Sequence, residues 1–401
     1  MTFFLHKVGP ANPSPGPGPL TRRRKLVFTA LVVLIVLAAV ELGLTVLYVI
    51  RDSIPPYVRE ALQVSPYAGL DWPTKCFAEE VSTKNQFVPF VMWRRQEFHG
   101  KYVNISPDGL RKTWNSLEVP DREAKKVFCF GGSTTWGVGA RDDFTIPSLL
   151  AKKLNQDTAR FAVQNCGEKG YCLTQEIFYL LLLLKQGKVP DYVIFYDGVN
   201  EVLVGYKNKK PGSILGADHM RRQLFQKETR WQYLGKIWQQ SGIYRGWNDL
   251  STLIKSYFKK PEEVSPDEEK VLDQLAASVV ADYLKNLELV RGLSQVYGFK
   301  YLFIWQPALL TNRALTEEEK RLPAWDNKKM VKLYELVYER MRNVKMDNFY
   351  NISDMFDHKK NTVFISWAHI TETGNEQVAQ RIFQIFREKF RWASLVKPGG
   401  V

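Results

Sequence analysis

The sequence predicts an α/β protein, a three-layer α/β/α sandwich around a mainly parallel sheet, preceded by one N-terminal transmembrane helix. Two observations support this prediction. From residue 121 onward, short β-prone apolar runs alternate with helical segments, as in parallel sheets covered on both faces. Upstream, residues 26–50 form an apolar run with a single charge, Glu41.

The N-terminal part predicts a membrane anchor. Residues 1–25 form a basic tail without periodicity, expected to be disordered, that ends in the cluster Arg22 to Lys25. The 25-residue run at 26–50 is long enough to cross a bilayer, and it favours an uncleaved anchor over a signal peptide, whose apolar core is shorter. Because cations precede the span, we expect a cytoplasmic N-terminus, a single pass through the inner (plasma) membrane, and a periplasmic or otherwise extracytoplasmic domain.

The rest of the chain predicts two regions. Residues 51–120 are rich in turns and aromatics, and they predict a stalk and a small N-terminal subdomain. Residues 121–395 predict the α/β domain. The predicted strands are 127–130, 160–165, 192–196, 301–305 and 349–353, and the predicted helices are 146–154, 174–187, 267–296, 328–344 and 378–390.

Four loops at strand ends carry reactive groups. Ser133 follows the first strand, Gly170 the second and Asn200 the third, and His369 precedes the last helix. Ligands of such sheets bind beyond the carboxyl ends of the strands. A serine can attack a carbonyl while a histidine takes its proton, and the N–H groups of Ser133 and Gly170 with the Asn200 amide can hold an oxyanion. This set predicts acyl transfer without a cofactor, and the absence of a C-x-x-C pair argues against a zinc site.

The blocks GGSTTWG (131–137), N-x-x-x-x-G (165–170), GVN (198–200) and His369 with the following ITETGN resemble those of the SGNH hydrolases, the GDSL lipase/esterase family. The resemblance covers roughly residues 125–390. It implies a flavodoxin-like sheet, Ser133 as nucleophile, His369 as base, and an oxyanion hole formed by Ser133, Gly170 and Asn200. Gly132 stands where many members have Asp, and Glu201 where Asp is common.

A third departure concerns the acid of the triad. The family places an Asp three residues before the histidine, and here that position is Ser366. A carboxylate there would orient the imidazole and stabilise its cation, whereas a serine brings no charge. Three alternatives follow: a Ser–His dyad suffices, Asp354 or Asp357 replaces the acid, or the enzyme is weakened.

A basic, aromatic insertion is predicted at 203–266. Residues 205–260 hold 12 Lys or Arg against three acids, and together with residues 1–25 they account for the whole net charge of +14. Because the insertion leaves a strand end, we expect it beside or over the active site. An anionic lipid or an acidic polysaccharide is the expected partner, since an extracytoplasmic domain seldom meets nucleic acid. The alternative is a solvated, partly helical cap with no partner.

These observations predict a membrane-anchored serine esterase that removes O-acyl groups from envelope glycans or lipids through an acyl-serine intermediate. An O-acetyltransferase would use the same site and differ only in the acceptor. A silent SGNH domain that binds a glycan or an assembly partner is the alternative from another class, with Ser366 in its favour. Cys166 and Cys172 would bridge only in an oxidising compartment.

Overall fold

The structure is a computed structural model that describes residues 21–114, 124–156, 161–217, 220–222, 229–258, 263–312 and 314–391. Residues 1–20 of the predicted tail (1–25) and parts of the predicted insertion lie outside these ranges. Residues 22–25, predicted to be disordered, instead form the start of the helix Arg22–Ser53. The chain divides into two compact units, one formed by Met1–Ile54 with Glu228–Lys260 and the other by Pro55–Lys227 with Pro261–Val401.

The larger unit contains the predicted sheet. Its five strands are β5 (Lys125–Gly131), β6 (Phe161–Asn165), β7 (Tyr192–Asp197), β8 (Lys300–Trp305) and β9 (Phe349–Asn351), all parallel and in the spatial order β6-β5-β7-β8-β9. In chain order this is 2-1-3-4-5, the doubly wound arrangement of flavodoxin-like sheets. The predicted α/β fold class is therefore confirmed.

Helices cover both faces of this sheet, and its central strands are therefore buried on both sides. They are α4 (Ser133–Trp136), α5 (Ile146–Leu154), α6 (Leu173–Lys185), α7 (Val199–Asn208), α10 (Pro266–Tyr297), α11 (Glu317–Lys320), α12 (Lys328–Arg342) and α13 (Glu372–Phe390). Helices α5 and α13 pack on one face, and α6, α7, α10 and α12 pack on the other. Short 3₁₀ turns lie at Asp142–Phe144, Leu309–Thr311 and Pro323–Asp326.

The segment before β5 has more regular structure than its turn-rich sequence indicated. It contains α2 (Pro56–Gln63), α3 (Asp71–Ser82), and two antiparallel hairpins, β1 (Asn85–Val88) with β2 (Met92–Arg95) and β3 (Phe98–His99) with β4 (Asn104–Ile105). Val58, Phe77 and Val103 form a separate buried cluster with Trp136 and Ile365. Because Trp136 and Ile365 belong to the loops that carry Ser133 and His369, this segment packs directly on the site.

The smaller unit is built around α1 (Arg22–Ser53), the predicted span, with α8 (Arg230–Gln240) and α9 (Gly242–Phe258). Helix α1 is long and apolar enough to cross a membrane, and its most apolar stretch is entirely unburied. The helices α8 and α9 come from the predicted insertion. All four cysteines are buried free thiols, so Cys166 and Cys172 are not bridged.

Candidate active site

Ser133 and His369 meet at the carboxyl end of the sheet. Ser133 begins α4 directly after β5, and His369 lies in the loop that precedes α13. The serine Oγ and the imidazole Nε2 are 2.8 Å apart, and both residues are half-buried. This is the distance at which an imidazole can take a hydroxyl proton.

Ser366 occupies the position of the orienting group. Its Oγ lies 2.8 Å from Nδ1 of His369, on the opposite side of the ring from Ser133. Asp354 is exposed in the turn that follows β9, and its carbonyl accepts the main-chain N–H of Asp357. The group that contacts Nδ1 is thus the hydroxyl of Ser366, the residue three positions before the histidine.

The hydroxyl of Ser366 does not fix the ring tautomer as a carboxylate would. A carboxylate only accepts and so holds a proton on Nδ1, whereas a hydroxyl can accept from Nδ1–H or donate to a bare Nδ1. The main-chain N–H groups of His369 and Ala368 already donate to Ser366 Oγ, at 3.1 and 3.4 Å. In the tautomer that carries its proton on Nδ1, the ring donates to Ser366 Oγ and presents a bare Nε2 to the hydroxyl of Ser133.

The charge environment keeps the imidazole neutral. Burial, with the positive charge of Lys169 as the second cause, lowers the pKa of His369 to about 3. The Lys169 ammonium lies 3.2 Å from a carboxylate oxygen of buried Glu80 and 4.0 Å from the centre of the Trp136 ring. His369 is therefore uncharged at neutral pH and available as a base, and among the described residues no carboxylate contacts its ring.

Asn200 and Gly170 lie in the segments that follow β7 and β6, at the same end of the sheet as Ser133. The Asn200 amide donates one hydrogen bond, 2.5 Å long, to the carbonyl of Tyr171, which leaves its second N–H available. Within the described ranges, the main-chain N–H groups of Ser133 and Gly170 donate to no protein acceptor. The three groups together can supply donors to a developing oxyanion.

Asn200 also accounts for the glycine at position 132. A Cβ on Gly132 would lie 2.2 Å from the Asn200 Nδ2 and 3.3 Å from the Tyr171 carbonyl oxygen. An aspartate, common at this position in the family that the sequence resembles, would displace the amide. The departure at Gly132 therefore fits the close approach of Asn200 in this protein.

Two buried side chains hold the loops together. Asn165 donates to the carbonyls of Thr135 and Trp136, at 3.0 and 3.3 Å, and accepts from the N–H of Gly167. Arg111 donates to the Trp136 carbonyl at 3.1 Å and to others beyond it. The end of the short helix that carries Ser133 is thereby fixed to the loop that carries Gly170.

Glu201 joins the remaining two loops. One carboxylate oxygen accepts from the Gly198 N–H at 2.7 Å and the other from the Leu173 N–H at 2.8 Å. Burial raises the pKa of Glu201. The carboxylate thus connects the turn before Asn200 to the loop after Gly170, a positioning role that its place next to Asn200 did not reveal.

Three further residues around His369 are absent from the predicted site: Tyr57, Glu80 and Lys169. Tyr57, from α2, has its ring centre 6.2 Å from that of the imidazole, and Glu80, from α3, holds Lys169. Lys169 lies within the block 165–170, directly before Gly170, and this place in a strand-end loop is the one sequence feature that could have indicated it. Tyr57 and Glu80 precede the sheet by tens of residues in a segment without a motif, and only the tertiary packing brings them to the site.

No family model and no curated protein sequence matches this chain. Among solved structures, the chain is similar to an acetyl xylan esterase, with 14% identity over 65% of this chain and 98% of that one and a TM-score of 0.33. A carbohydrate acetylesterase family member from Sinorhizobium meliloti shows 14% identity over 67% and 100% of the two chains, with a TM-score of 0.35. A lipolytic G-D-S-L family protein from Veillonella parvula shows 13% identity over 66% and 98%, with a TM-score of 0.36.

The sheet order and the four strand-end loops are observed in this chain itself and do not depend on its similarity to other structures. The 2-1-3-4-5 parallel sheet carries Ser133, Gly170, Asn200 and His369 at one end, in the chain order of the four sequence blocks. The chain therefore has the flavodoxin-like parallel sheet that its resemblance to the SGNH hydrolases implies, with the four residues at one end of it.

Proposed function

We propose that this protein is a serine esterase that works through an acyl-serine intermediate. The observation that carries the proposal is the chain of contacts Ser133 Oγ, His369 Nε2, His369 Nδ1 and Ser366 Oγ, with 2.8 Å at each hydrogen bond. His369 would take the proton of Ser133 as its oxygen attacks the ester carbonyl, and would return it to the leaving alcohol. Water would then release the acid by the same route in reverse.

The oxyanion of each tetrahedral intermediate would be held by the N–H groups of Ser133 and Gly170 and by the free N–H of Asn200. These donors are fixed before the substrate arrives, because Asn165 and Glu201 hold the loops that present them. Prearranged donors stabilise the transition state without reorganisation during the reaction. The proposed rate enhancement rests mainly on this part of the site, since Ser366 adds no charge to assist His369.

We further propose a membrane anchor and a substrate of the cell envelope. Helix α1 has the length and apolarity of a membrane span and begins with the cluster Arg22 to Lys25, which favours a cytoplasmic N-terminus. An exported esterase would meet O-acylated glycans or lipids. A reporter active only in the cytoplasm, fused after residue 401, should give no signal, and a strong signal would overturn this orientation and the envelope substrate with it.

A fluorophosphonate probe tests the enzyme assignment directly. The intact protein should gain the mass of one adduct, which peptide mapping should locate at Ser133. Ser133→Ala should lose the adduct. Ser278→Ala, which removes an exposed hydroxyl of α10, should keep it. If the unsubstituted protein forms no adduct at Ser133, the esterase proposal fails and a silent binding domain takes its place.

A further inference from the structure

The insertion contributes a helix, α9, that pairs with the apolar helix α1. The hydrogen bonds advance along both helices in the same direction. Glu41 accepts from Gly242 at the start of α9, and seven residues later in each helix Tyr48 donates to Asp249. Arg51 also binds Asp249, at 2.6 Å, and Asp52 binds Arg245 at 2.5 Å. Helix α9 therefore runs parallel to the last three turns of α1.

Glu41 is the one charge in the apolar run, and α9 satisfies it. Its two carboxylate oxygens accept the main-chain N–H groups of Gly242 and Ile243, at 2.7 and 2.8 Å, and one of them also accepts the hydroxyl of Thr45. A carboxylate inside a membrane needs such partners, because lipid offers none. The first turn of α9 therefore neutralises the feature of α1 that a bilayer tolerates least.

The two helices approach closely through glycine. A Cβ on Gly242 would lie 2.6 Å from both the Cβ of Leu44 and the backbone nitrogen of Thr45. Gly246 follows four residues later and lies against Leu44 and Tyr48. Two glycines four residues apart at a helix contact are the packing pattern of membrane helices, where small residues allow backbones to approach.

Both α8 and α9 expose large apolar side chains. In α9, Trp247, Leu250, Ile254 and Phe258 recur at helical spacing, with exposed fractions from 49% to 83%. In α8 the exposed apolar side chains are Trp231, Tyr233, Leu234, Ile237 and Trp238. The apolar side chains of α1 are similarly exposed, so all three helices of the smaller unit present apolar surface.

The depth of this surface follows from helix geometry. Glu41 lies nine residues before Ile50, the end of the apolar run, which is roughly 14 Å along the helix axis at 1.5 Å per residue. The junction of α8 and α9 at Ser241 lies at the level of Glu41. In a bilayer with a hydrocarbon core of about 30 Å, that level is inside the core.

We propose that residues 229–258 are a second membrane-inserted element, a helix pair that enters the outer half of the bilayer beside α1. The inference rests on the proposed anchoring by α1 and extends it. Its partner is lipid hydrocarbon, and the cations of the segment are secondary. The chain passes between the two units at 54–55, 227–228 and 260–261, so three chain segments rather than one connect the α/β unit to the membrane.

Spin-label accessibility in the full-length protein tests the proposal. Nitroxides would be placed at Leu250→Cys in α9, Leu34→Cys in α1 and Ser278→Cys in α10, in nanodiscs of neutral phosphatidylcholine. We expect the labels at Leu250 and Leu34 to collide with oxygen and not with a water-soluble nickel complex, and the label at Ser278 to do the reverse. The pattern should persist in roughly 1 M salt, where the Debye length is about 3 Å and electrostatic surface binding is lost.

The outcomes separate the two proposals. If Leu34 is in lipid and Leu250 is in water, the helix pair does not insert, while the anchor stands. If Leu34 is in water as well, both proposals fail. If Leu250 leaves the lipid in high salt, binding is electrostatic and insertion is wrong.

Two matched glycine substitutions test the packing. Gly242→Ala would force α9 away from α1, whereas Gly235→Ala in α8 meets nothing within 4 Å. We expect Gly242→Ala to move the Leu250 label toward the aqueous phase and Gly235→Ala to leave it in lipid. An unchanged label in Gly242→Ala would overturn the close pairing. Small-ester hydrolysis in both variants would show that the α/β unit remains folded.

Discussion

Glu41 in α1 and His369 in the strand-end site are both half-buried ionisable groups, and their hydrogen-bond partners differ in kind. Glu41 receives three hydrogen-bond donors, two of them main-chain N–H groups that do not titrate. His369 has two neutral hydroxyls as ring partners and a lysine as its nearest influence. The first group is bound by fixed donors, which suits a structural role. The second can exchange a proton with Ser133, which suits catalysis.

The largest expected effect comes from removing the group that shares a proton with His369. Ser133→Ala should lower the hydrolysis of p-nitrophenyl acetate by about 10⁴-fold or more, because loss of the nucleophile removes the covalent route. Thermal unfolding should change little, since Ser133 is small and half-buried. Ser278→Ala is the control and should keep its full rate. Near-normal turnover in Ser133→Ala would show that catalysis does not depend on proton transfer from Ser133 to His369. The proposed difference in role between His369 and Glu41 would then be wrong.

Asn200→Ala should have the next largest effect. It removes an oxyanion donor, and loss of one such donor costs about 10²–10³ in kcat. KM should change much less, because the donor acts mainly in the transition state. Asn208→Ala, later in α7 and outside the site, is the comparison variant, and it removes an amide that donates to the Ile214 carbonyl. A change in KM alone for Asn200→Ala would assign the amide to substrate binding.

Ser366→Asp tests whether His369 lacks charge assistance. The carboxylate should hold the proton on Nδ1 and stabilise the imidazolium, so we expect a gain of about tenfold or more at neutral pH. The carboxylate should also raise the pKa of His369. Because activity needs the neutral ring, the rate should fall on acidification at a higher pH than in the unsubstituted protein. In that protein, whose His369 pKa is about 3, the rate should stay level well below pH 6.

The same experiment includes Asp354→Asn and Asp357→Asn. Because Ser366 occupies the Nδ1 position, we expect both variants to keep their activity. A large loss in either variant, with no gain from Ser366→Asp, would show that an aspartate already supports His369. His369 would then resemble Glu41 in having a charge-stabilising partner.

Lys169→Met should give the smallest change. Its positive charge disfavours the imidazolium, so its removal should raise the pKa of His369 and shift the acid limb of the pH–rate profile upward. The rate at pH 8 should change little, because His369 is neutral there in both proteins. Lys188→Met, an exposed cation bound to Asp108, is the control and should leave the profile in place. An acid limb that does not move would remove Lys169 as a cause.

The sequence by itself determined the alternation of strands and helices and the four strand-end residues. Apolar β-prone runs of four to six residues can only be buried strands when helical segments separate them, and parallel strands bring their carboxyl ends to one edge. The sequence prediction therefore named Ser133, Gly170, Asn200 and His369, and Ser366 by its spacing from His369. The structure brings Ser133, His369 and Ser366 into hydrogen-bond contact. The long apolar run made α1 equally visible.

Only the tertiary structure decided which distant residues surround these elements. Tyr57 and Glu80 reach the site through packing of α2 and α3, whose sequence has no motif. The pairing of Glu41 with Gly242 joins positions two hundred residues apart, so no local pattern records it. The same insertion reads as a basic, aromatic segment in the sequence, because composition counts side chains without showing which of them face another helix. Hydrogen bonds and close backbone approach depend on three-dimensional geometry, and for this reason the partners of His369 and of Glu41 became visible only in the folded chain.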